Sequence, residues 1–421
     1  MRAFAAALAL VCVFLVPFTT GAAELPRTRP EEVGLSSERL GRIEARIRAD
    51  VEKQVIPGAV LLVARQGKIA YFEAIGLQDP VSKTPMQRDS IFRIYSMTKP
   101  ITSVAAMMLI EEGRATLADP AAKYMPALAK LSVGVEKPDG NGKTTLELVP
   151  AKRPISLHDL MRHSSGLTYG FFGEGAVKQL YRENLQSGDY TNEEFVELIA
   201  KQPLVYQPGT VWDYSYSTDV LGRAVEVIAG QKLSEVFRTR LFEPLGMKDT
   251  AFYVTDPDRQ KRIAEAFEND RSLGGGVMFF DPRTPGKWES GGGGLTGTAM
   301  DYARFLQMLL NGGELDGKRY LSPRTVAYMT ADHMGDGVKP GPYYLPGPGY
   351  GFGLGFGVRL SDGVAPLPGN EGDYYWGGAG GTYFWVDPEE EMFVVFMMQS
   401  PKQRVPYRAL LRDMIYAAIV D

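Results

Sequence analysis

The sequence predicts a mixed α/β protein of the α+β type, in which an antiparallel sheet formed by the N- and C-terminal segments is flanked by helices and faces a mainly helical second region. Three observations predict it. Apolar, β-rich runs lie early, at 59–76, and again late, near 355–360, 381–387 and 392–398. The stretch between about 116 and 285 consists of helical patches separated by Pro and Gly loops. The 421 residues are 44% hydrophobic and 23% charged, with 47 Gly and 28 Pro, the composition of an ordinary globular protein large enough for a core and a cleft. The expected boundaries are 24–115 and 286–421 for the α/β region and 116–285 for the helical one.

Taken in order, Arg2, the apolar run Ala3 to Phe18 and the small residues Gly21-Ala22-Ala23 have the layout of a secretory signal peptide, residues 1–23. An uncleaved anchor is the competing reading, and Pro17 with the Ala-Ala end argues against it. Cleavage would leave residues 24–421 periplasmic or secreted, with no stable membrane insertion. The only cysteine, Cys12, lies in that stretch, so disulfides, thiolate catalysis and cysteine-held metal are excluded from the mature chain. Lys plus Arg number 46 against 50 Asp plus Glu, a formal charge of −4 with no basic run, which excludes a nucleic-acid partner.

Ser36-Ser37-Glu38 caps an amphipathic helix with Leu40, Ile43, Ile47 and Val51 at helical spacing. At 59–76 two apolar runs joined by Arg65-Gln66-Gly67-Lys68 have the pattern of a β-hairpin. Residues 96–113 form a helix ended by Gly113, with Pro100 in the first turn, where its missing donor has no intrahelical use. Helical patches come next at 191–202, 217–230 and 234–246, then the Gly291 to Gly294 run, a helix at 298–311, a Gly- and Pro-rich loop at 335–355 and a closing helix at 405–420.

Ser96 and Lys99, three residues apart at a helix start, share a face, with Ser96 near the positive end of the helix dipole. A serine hydroxyl needs a neighbour to take its proton, and a desolvated lysine can serve. The spacing alone is cheap, since roughly one or two S-x-x-K tetrads are expected by chance in a chain this long. The setting, IFRIYSMTKPITSVAAMML, is more specific, and two later motifs add to it. Trp212-Asp213-Tyr214-Ser215-Tyr216 leads into STDVLGRAVEVIAG, and Trp376-Gly377-Gly378 precedes AGGTYFWVDP.

On these three ordered motifs, and on the stretches at 155–171, 241–254 and 290–317, the chain from about 30 to 420 resembles the serine β-lactamase and penicillin-binding-protein fold family. Within it the chain is most similar to the class C β-lactamase-like carboxylesterases, the family VIII esterases. The resemblance implies a cofactor-free serine hydrolase of that fold acting on a small-molecule ester of short to medium acyl chain. Ser96 would be the acylated nucleophile, Lys99 the residue assisting its deprotonation, and Tyr214, matching the tyrosine of Y-x-N, the general base and acid. By the same analogy the backbone N–H groups of Ser96 and Ala379 would hold the oxyanion, with Gly377 and Gly378 permitting close approach.

Two positions depart from the β-lactamase pattern. Tyr216 stands where the Asn of Y-x-N would be, and Trp376 where the Lys of K-T-G would hold a β-lactam carboxylate. The lost charge leaves a more apolar wall suited to neutral ester acyl groups. A β-lactamase, a D-amino-acid peptidase or amidase, a transacylase and a β-lactam sensor acylated without turnover remain alternatives on the same residues.

Other chemistry is poorly supported. No G-x-S-x-G elbow occurs. His158, His163 and His333 lack ligand spacing, so structural roles are expected and no metal site. The Gly291 to Gly294 run lacks the Lys-Ser/Thr of a phosphate loop and is expected to be a flexible wall of the cleft. Tyr374, Tyr375, Trp376, Tyr383, Phe384 and Trp385 are expected to be core and pocket lining rather than a solvent-facing platform.

Overall fold

The computed structural model describes residues 25–138, 144–185 and 188–421; the signal expected at 1–23 lies outside the described residues. Helix α1 (Ser37–Glu52) starts where Ser36 Oγ accepts the Arg39 N–H at 3.3 Å, and it buries Leu40, Ile43 and Ile47. Strands β1 (Gly58–Arg65) and β2 (Lys68–Asp79) form the expected hairpin. Its two linking residues, Gln66 and Gly67, take φ of 52° and 73°, the paired left-handed conformation that matches the twist of a two-residue turn. Strand β3 (Thr84–Pro85) extends the edge, and helix α2 (Thr98–Glu111) comes after a 3₁₀ turn at Tyr95–Met97.

Residues 116–285, expected to be mainly helical, carry more helix than strand among the described residues, with short strand pairs beyond that expectation. Between the helices lies a hairpin of β4 (Ser132–Pro138) and β5 (Thr144–Pro150), and a second short pair joins Ser272–Gly274 to Val277–Met278. The alternation in SVGVEKP and TTLELVP is the period-2 signal of strands, short enough to be masked by the helical patches on either side. Helix α3 (Ser217–Ala229) is the long helix of this region, and helix α4 (Ala299–Leu310) returns the chain to the sheet. Strands β6 (Tyr350–Phe352), β7 (Gly357–Arg359), β8 (Tyr374–Gly377), β9 (Tyr383–Asp387) and β10 (Met392–Met398) come next, and helix α5 (Arg404–Tyr416) closes the fold.

These strands make one eight-stranded antiparallel sheet in the order β6-β7-β8-β9-β10-β1-β2-β3. The two ends of the chain meet in its middle, where β1 pairs with β10 from Ala59↔Met398 to Arg65↔Met392. Both strands are buried on both faces, which is why they read as continuous apolar runs rather than alternating ones. Val60, Leu62, Val395 and Met397 pack in one core with Ile101, Val104 and Leu109 of α2 and Phe305 and Leu306 of α4. Leu61, Val63, Val394 and Phe396 face the other core with α1 and with Tyr407, Leu411 and Ile415 of α5. A one-residue slip would exchange the two sets, so both cores fix the register. Among the described residues no helix is long and apolar enough to cross a membrane.

Candidate active site

The chain turns sharply where the expected nucleophile sits. Tyr95 has φ of 45°, an uncommon conformation for an aromatic residue, and it delivers Ser96 half-buried at the head of α2. The turn is pinned from below: Tyr302 on α4 donates to the Met97 carbonyl at 3.0 Å, and the Leu295 N–H donates to Thr98 Oγ1 at 3.1 Å. In the first turn of α2, Lys99 is 1% exposed, and its ammonium distributes three hydrogen bonds. They go to Ser96 Oγ at 3.2 Å, to the Tyr169 hydroxyl at 3.1 Å and to the Gly292 carbonyl at 2.7 Å. An ammonium has three donors, so the buried charge is fully satisfied without a salt bridge.

Tyr214 is brought to this cluster through its face. Lys99 Nζ lies 4.5 Å from the Tyr214 ring centroid, a cation–π distance, while the Tyr214 hydroxyl accepts from the Trp376 indole N–H at 3.3 Å. Tyr169 holds the direct hydrogen bond to the lysine, although nothing in the stretch ISLHDLMRHSSGLTYGF singles it out. Burial, with Asp219, Tyr214 and Tyr216 adding to it, pushes the Tyr169 phenol well above 10, so it is a neutral hydroxyl. Tyr216 packs edge-on against Tyr169 at 4.4 Å and against Phe195 at 5.2 Å, and its phenol is raised chiefly by burial. It supports the Tyr169 ring and makes no hydrogen bond to Lys99. His163 lies 4.9 Å from the Tyr214 ring; burial first, then the Lys99 charge, hold its imidazole neutral, well below 6.5.

The Gly291 to Gly294 run, expected to be a flexible wall of the cleft, is packed against α2 and α3. Gly291 and Gly292 are buried, and three side chains on one side of α2 grip the run: Lys99 holds the Gly292 carbonyl, Thr102 Oγ1 the Gly291 carbonyl at 2.7 Å, and Thr98 the Leu295 N–H. Glycine is needed for contact, since a Cβ on Gly291 would stand 2.7 Å from the Thr218 carbonyl.

The Trp376-Gly377-Gly378-Ala379 segment ends β8 and turns against the Ser96 turn. A Cβ on Gly378 would lie 2.4 Å from the Ile94 carbonyl, and one on Gly380 2.9 Å from the Tyr95 ring. Among the described residues, the backbone N–H groups of Ser96 and Ala379 donate to no protein acceptor. Behind the strand, Arg408 of α5 fills the space that Gly377 leaves empty, with its guanidinium donating to the Gly378 carbonyl at 3.4 Å. The aromatic residues of β8 and β9 are largely buried: Trp376 is 4% exposed and packs on Tyr214 and Phe352. The three histidines sit outside the Ser96–Lys99 hydrogen bonds, and His158 and His333 pair with each other, Nε2 to Nδ1, at 2.8 Å.

A serine within hydrogen-bond reach of an enclosed lysine, at the head of a helix packed under an antiparallel sheet, defines a class of enzyme, the serine hydrolases of the β-lactamase fold. The chain belongs to the Beta-lactamase family, whose model matches residues 43–417. An uncharacterized protein of Mycobacterium tuberculosis is 37% identical over 366 residues, covering 85% of this chain and 89% of that one. Esterase EstB of Burkholderia gladioli is 31% identical over 400 residues, covering 89% of this chain and 95% of its own. Among solved structures, EstCE1, described as a hydrolase with promiscuous acyltransferase activity, superposes with a TM-score of 0.74 at 27% identity over 90% of this chain and 99% of that one. The protein is an enzyme with hydrolase activity.

Proposed function

We propose that the protein hydrolyses carboxylic esters of short to medium acyl chain through an acyl-enzyme on Ser96. The observation that carries this reading is the 3.2 Å hydrogen bond between Ser96 Oγ and the enclosed Lys99 Nζ. In this mechanism Ser96 Oγ attacks the ester carbonyl and its proton passes to the Tyr214 oxygen, the base of the Lys99–Tyr214 pair, while the Lys99 ammonium donates to Ser96 Oγ. The alcohol leaves with that proton, and water releases the acid from the acyl-serine. The Ser96 and Ala379 N–H groups are the donors for the developing oxyanion, and their lack of protein acceptors supports that role. Trp376, Tyr214, Phe172 and Phe352 supply the apolar wall for a neutral acyl group. The name of Esterase EstB supports esters as the substrate class, and the promiscuous acyltransferase activity of EstCE1 leaves transfer of the acyl group to an alcohol acceptor as the second reading. We further propose, from residues 1–23 of the sequence, that the enzyme acts after export.

The test is turnover of p-nitrophenyl esters of graded acyl length beside a chromogenic cephalosporin. Ester turnover is expected to exceed cephalosporin turnover, to fall by about 10³ or more in Ser96→Ala and by about 10² in Tyr214→Phe. Wild-type ester turnover in Ser96→Ala, or an acyl adduct on another residue, refutes the assignment. Faster cephalosporin than ester turnover makes the protein a β-lactamase despite Trp376.

A further inference from the structure

Lys99 forms no ion pair among the described residues, yet its ammonium is enclosed. The charge that faces it comes from α3. Asp219, 4% exposed, sits on the first turn of that helix, and its Oδ1 accepts from Ser290 Oγ at 2.5 Å and from the Gly292 N–H at 3.2 Å. The same Gly292 offers its carbonyl to Lys99 Nζ at 2.7 Å. One glycine therefore carries a carboxylate on its N–H and an ammonium on its C=O. The fit is close on both sides: a Cβ on Gly292 would fall 2.3 Å from Asp219 Oδ2, and one on Gly222 of α3 would lie 3.4 Å from the Gly291 Cα. Small residues on α3 and in the turn bring the carboxylate into reach, and they leave no slack for the carbonyl to swing away from the lysine.

We propose that Asp219 is a positioning residue for the reaction and the counter-charge of Lys99, clamping the 290–292 turn so that the Gly292 carbonyl aims Nζ at Ser96 Oγ. This rests on the assignment of Ser96 and Lys99 given above. The groups around Nζ are Ser96 Oγ, the Tyr169 hydroxyl, the Tyr214 ring and the Gly292 carbonyl, with His163 and Tyr216 further out. His163 is neutral and the phenols of Tyr169 and Tyr216 are held protonated, so Asp219 is the anion that acts on the lysine. The coupling is visible in reverse, since burial raises the Asp219 carboxyl while the Lys99 charge draws it down. The same carboxylate opposes ionisation of Tyr169 and Tyr216. The effect is a sorted site: a lysine aimed at Ser96 Oγ between neutral flanking phenols.

The experiment compares Asp219→Asn, Asp219→Glu and Ser290→Ala with the wild type, reading kcat, KM, thermal midpoint, and the titration of Lys99 by NMR of ε-¹³C-lysine-labelled protein, assigned with Lys99→Arg. Asn keeps the acceptor oxygen and removes the charge. The Lys99 midpoint is expected to fall by about 1 pH unit, and kcat by roughly tenfold or more with KM within about threefold, as charge-assisted hydrogen bonds to the 290–292 turn become neutral ones. Asp219→Glu restores the Lys99 midpoint but not the full kcat. Ser290→Ala leaves the midpoint in place and lowers kcat by roughly threefold or more. An unchanged Lys99 midpoint in Asp219→Asn overturns the charge role. An unchanged kcat in both Asp219→Asn and Ser290→Ala overturns the positioning role, and a fall in thermal midpoint with no change at Lys99 reduces Asp219 to a structural residue. If Asp219→Asn does not fold, Ser290→Ala still decides the positioning role and Asp219→Ser, which also removes the charge, decides the charge role. Turnover that survives Ser96→Ala while the Lys99 midpoint still responds to Asp219 refutes the esterase site and leaves the coupling standing.

Discussion

The Lys99 ammonium donates to the Tyr169 hydroxyl at 3.1 Å, across 70 residues of sequence, and not to the hydroxyl of Tyr214, whose ring it faces. The lysine is thus steered by one tyrosine and overlaid by another. Tyr169→Phe removes the acceptor and leaves a buried N–H of a charged group unpaired, a loss of about 1.5–3 kcal/mol. We expect kcat to fall by roughly ten- to a hundredfold with KM little changed, because Nζ swings away from Ser96 Oγ. Steady-state kinetics beside a melting curve checks this. A variant that melts early but turns over normally would show Tyr169 to be packing alone.

The two glycines after Trp376 should answer differently to alanine. At Gly377 the added Cβ meets the end of the Arg408 side chain, at 2.3 Å from a guanidinium nitrogen, and a flexible arginine can move aside. At Gly378 it meets Thr382 Oγ1 at 2.2 Å and the Ile94 carbonyl at 2.4 Å, in the backbone that delivers Ser96. Gly378→Ala is therefore expected to cost about 1–3 kcal/mol and to lower ester turnover by roughly a hundredfold as the Ala379 N–H is displaced. Gly377→Ala should keep most of both. Equal losses in the two variants would show that this turn is not what sets the Ala379 donor.

Much of this architecture is legible in the sequence because local signals and packing agree. The Arg65-Gln66-Gly67-Lys68 turn marks its hairpin, and the two-sided burial of β1 and β10 writes itself as unbroken apolar runs. Ser96 and Lys99 can be paired from sequence because three residues on a helix are neighbours in space. Tyr169, Asp219 and Gly292 cannot, because their relation to Lys99 depends on how a loop, α3 and a glycine turn converge, which no periodicity records. Asp219 sits in an amphipathic pattern that reads as an ordinary helix face, and the glycine run reads as looseness although it permits close contacts with α3. The β4–β5 hairpin stays hidden because the helical patches around it set the expectation for the whole segment.

Acid stability should depend on Asp159, which is fully buried in the capping box of the helix Leu157–Met161. Burial alone would raise its carboxyl, but the Arg153 guanidinium at 2.5 Å and the Ser156 N–H and hydroxyl outweigh that and hold it at about 2. A depressed carboxyl stabilises the fold above its unfolded value near 3.8, and the contribution is lost as pH falls from about 4 through 2. The difference amounts to about 2 kcal/mol. Denaturant unfolding of wild type and Asp159→Asn should therefore differ at pH 7 and converge toward pH 2; a constant gap would assign the effect to the hydrogen bonds alone.

The histidine pair should act in a higher window. His333 Nε2 faces the Tyr328 carbonyl at 2.7 Å and must carry its proton there, so His333 Nδ1 is the acceptor and His158 Nε2 the donor of their 2.8 Å bond. The His333 ring is then neutral. Burial first, then the neighbouring Arg162 and His333, push His158 down to about 4. The unfolded chain takes up this proton below its usual 6.5 and the native one does so only near 4, so stability is present above 6.5 and declines as pH falls from 6.5 to 4. The full decline is no more than about 3 kcal/mol. His158→Gln keeps a donor for His333 Nδ1 and has no proton to gain. Its unfolding free energy should be flatter than that of the wild type between pH 6.5 and 4, with the two curves parallel above pH 7. Because the Asp159 window lies below 4, the two effects separate in one pH series, and a wild-type curve as flat as that of His158→Gln would show that the pair titrates normally in the native state.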